Sequence, residues 1–173
     1  MRTHHISLLT RDAKQNIHFY TKILGMRLVK NTVNQENIRI RHLFYGDYLG
    51  TPGTVVTFFV LPLLGRRTDG KHFFNNIKLA IPQGSADFWN SRMSENGFPV
   101  TEMENGIQFA DPDNIEVKMI ETPDKLTDWR VVPNNGIPPE FQISGFFRNR
   151  NARPGSGCDG EFLSRLVGHP NSG

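Results

Sequence analysis

Hydrophobic side chains recur at the helical period in two segments of the chain, residues 12–24 and 85–96. Each segment follows a short apolar run and precedes stretches in which polar and apolar residues alternate. Side chains spaced at i, i+4, i+7 and i+11 share one face of an α-helix. The residues that form these two stripes are Ala13, Ile17, Tyr20 and Leu24 in the first segment and Ala86, Trp89 and Met93 in the second.

Polar residues and glycines mark the ends of both predicted helices. Asp12 and Ser85 are suited to N-terminal capping, because their side-chain oxygens can accept a hydrogen bond from a free backbone N–H group. Gly25 and Gly97 follow the two segments, and glycine is common just after the end of a helix, where the backbone turns left-handed. The sequence therefore predicts two helices of similar length, each bounded by a cap and a glycine.

Alternation with a period of two predicts β-strands before and after each helix. The predicted strands are residues 4–9, 26–33, 38–45 and 54–61 around the first helix, and 76–81, 99–103, 107–110 and 115–120 around the second. The order βαβββ thus occurs twice, which predicts an α+β fold made of two modules. We place the first module at residues 1–64 and the second at 65–124, followed at 125–147 by a linker and the first strand of a truncated third module.

Composition and charge limit the possible partners and the cellular location of the protein. The net charge of +3 is small, and no basic stripe alternates with exposed aromatic residues, so we expect no nucleic-acid partner. No apolar run is long enough to span a membrane. The single cysteine, Cys158, excludes an internal disulfide and is typical of a reducing compartment, which predicts a cytoplasmic protein. Residues 148–173 are rich in Gly, Asn, Arg, Ser and Pro, and we expect them to form a disordered tail.

Two adjacent histidines stand in the first predicted strand. Because successive residues of a strand face opposite sides of its sheet, His4 and His5 do not both enter one site by geometry alone. His5 shares a face with Ser7 and Leu9, and we expect the helix to cover the more apolar opposite face, which leaves His5 on the open, concave side. A histidine there is either a metal ligand or a structural or exposed residue, and its spacing does not decide between them. His42 lies in an apolar strand and is predicted to be a packed core residue.

Several short motifs carry a resemblance to a known family. The motifs are His4-His5-Ile6-Ser7-Leu8, Asn16-Ile17-His18-Phe19-Tyr20, Asp111-Pro112-Asp113 and Ile115-Glu116-Val117. They resemble the vicinal oxygen chelate superfamily, which includes glyoxalase I, extradiol ring-cleaving dioxygenases and bleomycin-resistance proteins. More narrowly, residues 28–34, 42–47 and 50–54 resemble the hydroquinone-type ring-cleaving dioxygenases of bacteria, and the resemblance extends from residue 3 to about residue 145.

This resemblance implies a mononuclear Fe(II) site, or Mn(II) in some members, held by two histidines and one glutamate in an enzyme of aromatic catabolism. Such a ligand set leaves positions open on the metal for a phenolate oxygen of a small aromatic substrate and for O₂. His5 matches the metal ligand of the first module, and His4 matches the histidine beside it, a candidate for acid–base catalysis. Glu116 matches the general carboxylate position of the superfamily and is an alternative ligand, although the subfamily takes its remaining ligands from a fourth module.

On this interpretation we expect the chain to stop at the first strand of a third module and hence to hold one of three ligands. Asn76 stands at the ligand position of the second module and is a poor iron ligand. We therefore expect weak metal binding, low activity of the chain alone, and a homo-oligomer that covers the open side of the sheet.

Two other classes of function stay open. One is a glyoxalase-I-like lyase. The other is a metal-free small-molecule binding module of the bleomycin-resistance type, in which an apolar cup would be lined by Phe44, Phe58, Phe59 and Phe109.

Overall fold

Two mixed β-sheets form the frame of the molecule. A computed structural model of the chain describes residues 5–35, 37–63 and 76–148. The first module consists of β1 (His5–Thr10), helix α1 (Ala13–His18), a π-helical turn (Phe19–Ile23), β2 (Arg27–Val33), β3 (Arg41–Gly46) and β4 (Val55–Val60). Its sheet has the strand order β1-β4-β3-β2, with β1 parallel to β4 and the other neighbours antiparallel.

The second module repeats this arrangement. Its elements are β5 (Asn76–Pro82), helix α2 (Ala86–Glu95), β6 (Thr101–Met103), β7 (Gly106–Ala110) and β8 (Glu116–Thr122). Two short 3₁₀ turns, Asp128–Arg130 and Pro139–Phe141, then lead to β9 (Gly145–Phe146). The sheet order is β6-β7-β8-β5-β9, and β5 runs parallel to β8 as β1 does to β4. The predicted α+β fold of two βαβββ modules is confirmed, while the domain boundaries remain a prediction.

Both sheets bury one face in a common core. In the first sheet Leu8, Leu43 and Phe58 point into it. The second sheet contributes an equivalent apolar row, Leu79, Ile107 and Met119. The ring of Phe19 joins the two modules, because its centroid lies 4.9 Å from that of Phe98 and 6.2 Å from that of Phe109. None of the helices in the described ranges is long and apolar enough to cross a membrane.

The first predicted helix changes its hydrogen-bonding pattern at its middle. Asp12 caps α1 as predicted, since its carboxylate accepts hydrogen bonds from the backbone N–H groups of Lys14 and Gln15 at 2.8 and 3.1 Å. Beyond the first turns, the hydroxyl of Thr21 donates to a backbone carbonyl one turn earlier at 2.6 Å, which competes with the regular ladder. The chain therefore continues as a π-helical turn and ends at Gly25, whose φ is +69°.

The predicted cap of the second helix is wrong. The side chain of Ser85 makes no capping hydrogen bond, and its hydroxyl is buried without a partner in the described part of the chain. The carboxylate of Glu121 accepts a hydrogen bond from the backbone N–H of Ala86 at 2.9 Å instead. An acceptor from the neighbouring strand β8 thus performs the capping that a local side chain was expected to perform, and it adds a negative charge at the helix N-terminus.

The strand predicted over residues 38–45 begins three residues later, at Arg41. The side-chain oxygen of Asn37 accepts a hydrogen bond from the backbone N–H of Arg39 at 3.1 Å, which closes a turn. Ile38 is consequently 75% exposed and lies outside the sheet. Alternation predicted that Ile38 belongs to the strand, but the turn at Asn37 directs its side chain toward solvent.

Residues 125–147 bind both modules together. The carboxylate of Asp47 pairs with the guanidinium of Arg130 at 2.5 Å. The indole N–H of Trp89 donates to the backbone carbonyl of Phe141 at 2.9 Å, and the side chain of Asn135 donates to the carbonyl of Gly25 at 2.8 Å. The strand predicted near residues 142–147 corresponds to the short β9, which pairs antiparallel with β5 in the second sheet, and its assignment to a third module stays a prediction. The predicted tail after this strand lies, from residue 149 onward, outside the described residues.

Candidate metal and substrate face of the first sheet

The side of the first sheet opposite α1, which we call the outer face, carries its polar and aromatic groups. Strand pairing aligns His5 with Val55, Ser7 with Thr57, and His42 with Phe59 across β1, β4 and β3. Residues of the other parity, such as Leu8, Phe58 and Leu43, point into the core. The outer face is therefore formed by His5, Ser7, His42, Phe44, Thr57 and Phe59.

His5 lies at the start of β1 on this face and is exposed. Two residues along the strand, the hydroxyl of Ser7 accepts a hydrogen bond from the hydroxyl of Thr57 at 3.0 Å, which fixes the neighbouring strand β4 against β1. This placement agrees with the strand parity expected from the sequence. His4, the candidate for acid–base catalysis, lies outside the described residues. The assignments of His5 as a metal ligand and of His4 as its neighbour in catalysis stay predictions.

His42 is not a core residue, contrary to the sequence prediction. It lies on the outer face with its ring stacked on Phe59 at a centroid distance of 3.9 Å and tilted against Phe44 at 4.2 Å. Burial among these rings, aided by the nearby charges of His5 and Lys30, lowers the pKa of His42 to about 4. Its imidazole is therefore neutral near pH 7. Alternation favoured the wrong face, because His42 shares its parity with Ile38, Ile40 and Phe44. The parity that enters the core begins with two charged residues, Arg39 and Arg41, before Leu43 and Tyr45.

Glu116 lies in the other sheet, at the start of β8. Its carboxylate accepts a hydrogen bond from the side chain of Gln108 at 3.0 Å and forms an ion pair with Lys118 at 3.0 Å. Asn76 stands opposite it in the strand register. Lys118 and Gln108 are half-exposed partners on the same sheet face, so the Glu116 carboxylate already has a compensating charge and a donor.

A complete site of two histidines and one carboxylate does not fit the described residues. Within residues 5–35, 37–63 and 76–148, no group of three or more His, Cys, Asp or Glu side chains is arranged to hold a metal ion. His5 belongs to the first sheet, and Glu116 belongs to the second, where Lys118 balances its charge. Within the described residues, the predicted ligands His5 and Glu116 therefore do not meet in one site, and the role of His5 stays a prediction.

A buried acid between the modules was not anticipated from the sequence. Asp111 follows β7 and is 3% exposed. Its carboxylate accepts hydrogen bonds from the backbone N–H groups of Asp113 and Ile115 at 2.9 and 2.8 Å, and from the hydroxyl of Tyr20 at 3.0 Å. Burial outweighs these hydrogen bonds and raises the pKa of Asp111 to about 6. The Asp-Pro-Asp-Asn turn suggested a loop, but its contact with a tyrosine of the first helix depends on tertiary packing.

A second buried acid, Asp47, holds the linker against the first module. It lies directly after β3, and its carboxylate accepts hydrogen bonds from the backbone N–H of Thr51 at 2.8 Å and from Arg130 at 2.5 Å. Burial alone would raise the pKa of this carboxyl, but these hydrogen bonds and the guanidinium charge outweigh burial and lower it. Arg130 also donates to the backbone carbonyl of Ser144 at 3.3 Å, next to β9.

The family of the chain follows from its first module. Residues 2–77 match the model of the Glyoxalase/Bleomycin resistance protein/Dioxygenase superfamily. The chain belongs to this superfamily, in agreement with its two βαβββ modules. Glyoxalase I of Leishmania major, at 18% sequence identity, superposes with a TM-score of 0.58 over 70% of this chain and 86% of that one, which shows a shared fold.

Closer relatives carry names of ring-cleaving enzymes. The chain is 34% identical to MhqE of Bacillus subtilis (strain 168), named as a candidate ring-cleaving dioxygenase, over 72% of this chain and 45% of that protein. It is 28% identical to chlorohydroquinone/hydroquinone 1,2-dioxygenase of Sphingobium indicum, over 83% of this chain and 47% of that protein. A crystal structure of a candidate dioxygenase from Bacillus subtilis superposes with a TM-score of 0.74 at 30% identity and covers 84% of this chain and 48% of that one. The chain thus spans about half the length of these relatives.

Proposed function

We propose that the chain is the His5-bearing part of a metal-dependent dioxygenase that opens hydroquinone-type aromatic rings with O₂. The observation that supports this most is the position of His5 at the edge of the outer face, which also carries the stacked rings of His42 and Phe59. The names of the relatives supply the reaction class. A cytoplasmic location, expected from the single cysteine, belongs to the same proposal.

The metal in this proposal is Fe(II), with Mn(II) as the alternative. When bound, such a metal lowers the pKa of a coordinated phenol and allows electron density to pass to oxygen. The contribution of this chain is narrower: His5 supplies one imidazole ligand, and His4 is the candidate for moving a proton beside it. The outer face adds aromatic surface on which a planar ring can pack. Glu116 is an alternative ligand that would first have to leave its ion pair with Lys118.

The other ligands have to come from a second module that packs on the outer face. The internal repeat indicates how such a module can approach, because β9 already pairs antiparallel with β5, the strand equivalent to β1. Among the described strands β1 pairs with β4, and we propose that a strand of the second module pairs with its other edge in the same way. A second copy of the chain is one source of that strand, and we therefore include a homo-oligomer in the proposal.

Metal binding without oxygen tests the role of His5. Purified chain is titrated with Fe(II), and separately with Mn(II), and binding is followed by calorimetry. We expect weak binding that His5→Ala abolishes, because that change removes the imidazole ligand. His18→Ala is the matched control, since His18 is an exposed histidine of α1 outside the outer face, and it should bind as the unaltered chain does. Equal binding by the His5→Ala variant would refute the assignment.

Two further measurements address activity and assembly. We expect very low cleavage of hydroquinone by the iron-loaded chain, because no group of three His, Cys, Asp or Glu side chains in the described residues is arranged to hold the metal. Efficient cleavage would show that the account of the ligands is wrong. Light scattering coupled to size-exclusion chromatography measures the oligomeric state, and a strict monomer at every concentration would contradict the proposed homo-oligomer.

A metal-free binding module is the second candidate function. The stacked rings of His42, Phe44 and Phe59 favour it, because they form an aromatic surface that needs no metal. Phe58 and Phe109, also expected in an apolar cup, are instead buried in the core. Binding of a planar aromatic compound that is unchanged by metal and by His5→Ala would favour this function over the dioxygenase.

A further inference from the structure

Comparison of the two repeated sheets shows which side chains the βαβββ fold requires and which occur in the first sheet alone. Aligning the strand pairs of the two sheets places His42 at the position of Gly106, because His42 pairs with Phe59 as Gly106 pairs with Ile120. Phe44 takes the position of Gln108 by the same rule. Core-facing positions, in contrast, are apolar in both copies. A βαβββ sheet therefore folds without an aromatic cluster on this face, and the cluster calls for another explanation.

The ring of His42 is held in one orientation. Phe59 stacks on it with an angle of 25° between the planes, and Phe44 lies against it at 42°. The Nε2 atom is buried and has no hydrogen-bond partner in the described residues. An unpaired buried polar atom costs about 1–3 kcal/mol, so a native structure that keeps one usually has a reason for it.

We propose that His42 is a substrate-binding residue whose Nε2 forms a hydrogen bond with a hydroxyl group of a planar phenol when the phenol displaces the groups that cover this atom. This inference rests on the proposed function and extends it by naming the residue that recognises the substrate. The imidazole can donate to a phenol oxygen or accept from a phenol O–H, depending on its tautomer. Phe44 and Phe59 fix the plane of the imidazole and hence the direction of that bond. His5 lies on the same face and within electrostatic range of His42.

Equilibrium binding without metal or oxygen tests the role of His42. The probes are hydroquinone and p-xylene, which have similar rings but differ in their hydroxyl groups. The variant His42→Phe keeps a ring between Phe44 and Phe59 and removes the nitrogen, and His18→Phe makes the same change at an exposed position of α1. We expect His42→Phe to weaken hydroquinone binding about fivefold, as loss of one hydrogen bond predicts. Binding of p-xylene should not change, and His18→Phe should affect neither probe.

A second readout does not depend on the folding of a variant. Nitrogen-15 NMR of the unaltered chain follows the imidazole Nε2 of His42 directly, and hydroquinone should shift this signal while p-xylene should not. Equal hydroquinone binding by the unaltered chain and His42→Phe, or an Nε2 signal that does not respond, would overturn this inference and leave the metal test of His5 standing. Failure of the unaltered chain to bind hydroquinone at millimolar concentration would overturn it together with the proposed substrate class.

Discussion

The buried acid between the modules predicts an unusual dependence of stability on pH. Asp111 has a pKa of about 6 in the folded chain, against an ordinary value of 3.8. A carboxyl whose folded pKa is raised binds its proton more tightly when folded. Its contribution to the free energy of unfolding is therefore fully present below about pH 4 and is lost as the pH rises through about 6. This direction is opposite to that of a carboxylate held in an ion pair.

The magnitude follows from the two pKa values. A difference of roughly two units corresponds to about 3 kcal/mol between the fully protonated and fully ionised limits. Between about pH 8 and about pH 5, where the unfolded chain is still ionised, this group should raise the free energy of unfolding by about 1.4 kcal/mol. The change Asp111→Asn removes the charge, while its amide oxygen can still accept from the backbone N–H groups of Asp113 and Ile115. The free energy of unfolding of Asp111→Asn should therefore lack the pH-dependent contribution of this carboxyl.

The assay is urea unfolding of the unaltered chain and of Asp111→Asn at both pH values. Other carboxyls titrate alike in the two proteins, so their difference in free energy isolates Asp111. We expect the difference, unaltered minus variant, to rise by about 1.4 kcal/mol on going from about pH 8 to about pH 5. Asp128→Asn, a change of an exposed carboxylate, serves as the control and should show no such rise. Parallel stability profiles for the unaltered chain and Asp111→Asn would refute the reasoning.

Three further predictions concern two contacts between the modules or the linker and one close backbone contact within the second sheet, and all are measured by denaturant unfolding. Arg92→Met should cost about 2 kcal/mol, because the guanidinium donates to three backbone carbonyls of the first module and linker, and an effect below 0.5 kcal/mol would contradict this. Asp47→Asn should cost about 3 kcal/mol at neutral pH by leaving Arg130 without its ion pair, and less when Arg130 is already methionine. Gly106→Ala should cost at least about 2 kcal/mol more than Gly84→Ala, because only the former brings a Cβ against a backbone oxygen.

The sequence predicted the fold well because apolar periodicity is strong where side chains must enter the core. Tyr20 and Trp89 fall on the helical stripes and are fully buried. Predictions from neighbouring residues failed where a side chain distant in the sequence makes the hydrogen bond expected of a nearby one. Ser85 is a good capping residue by type, yet Glu121 from β8 provides the cap. Propensity cannot anticipate this, because the carboxylate reaches the helix only after the sheet has formed.

The candidate site was harder to predict because it lies on the face that packing constrains least. Parity placed His5 on the side opposite the helix, since the difference between its two strand faces is clear in the sequence. It misplaced His42, because the apolar residues Ile38, Ile40 and Phe44 share its parity and indicated the core. What distinguishes His42 is tertiary: two phenylalanines from β3 and β4 close on its ring, and its Nε2 has no partner in the described residues.

The contrast between the two sheets also bears on where chemistry can occur in this chain. The second sheet has Asn76 where the first has His5, and its carboxylate, Glu116, is balanced by Lys118. Charge compensation within one face stabilises that face and leaves little capacity to hold a cation. In the first sheet the residues aligned with His5 and Ser7 are Val55 and Thr57, and neither of these carries a charge. On the proposed function, a metal or a polar substrate would therefore meet an imidazole, hydroxyls and aromatic rings on the first sheet, and a carboxylate already paired with Lys118 on the second.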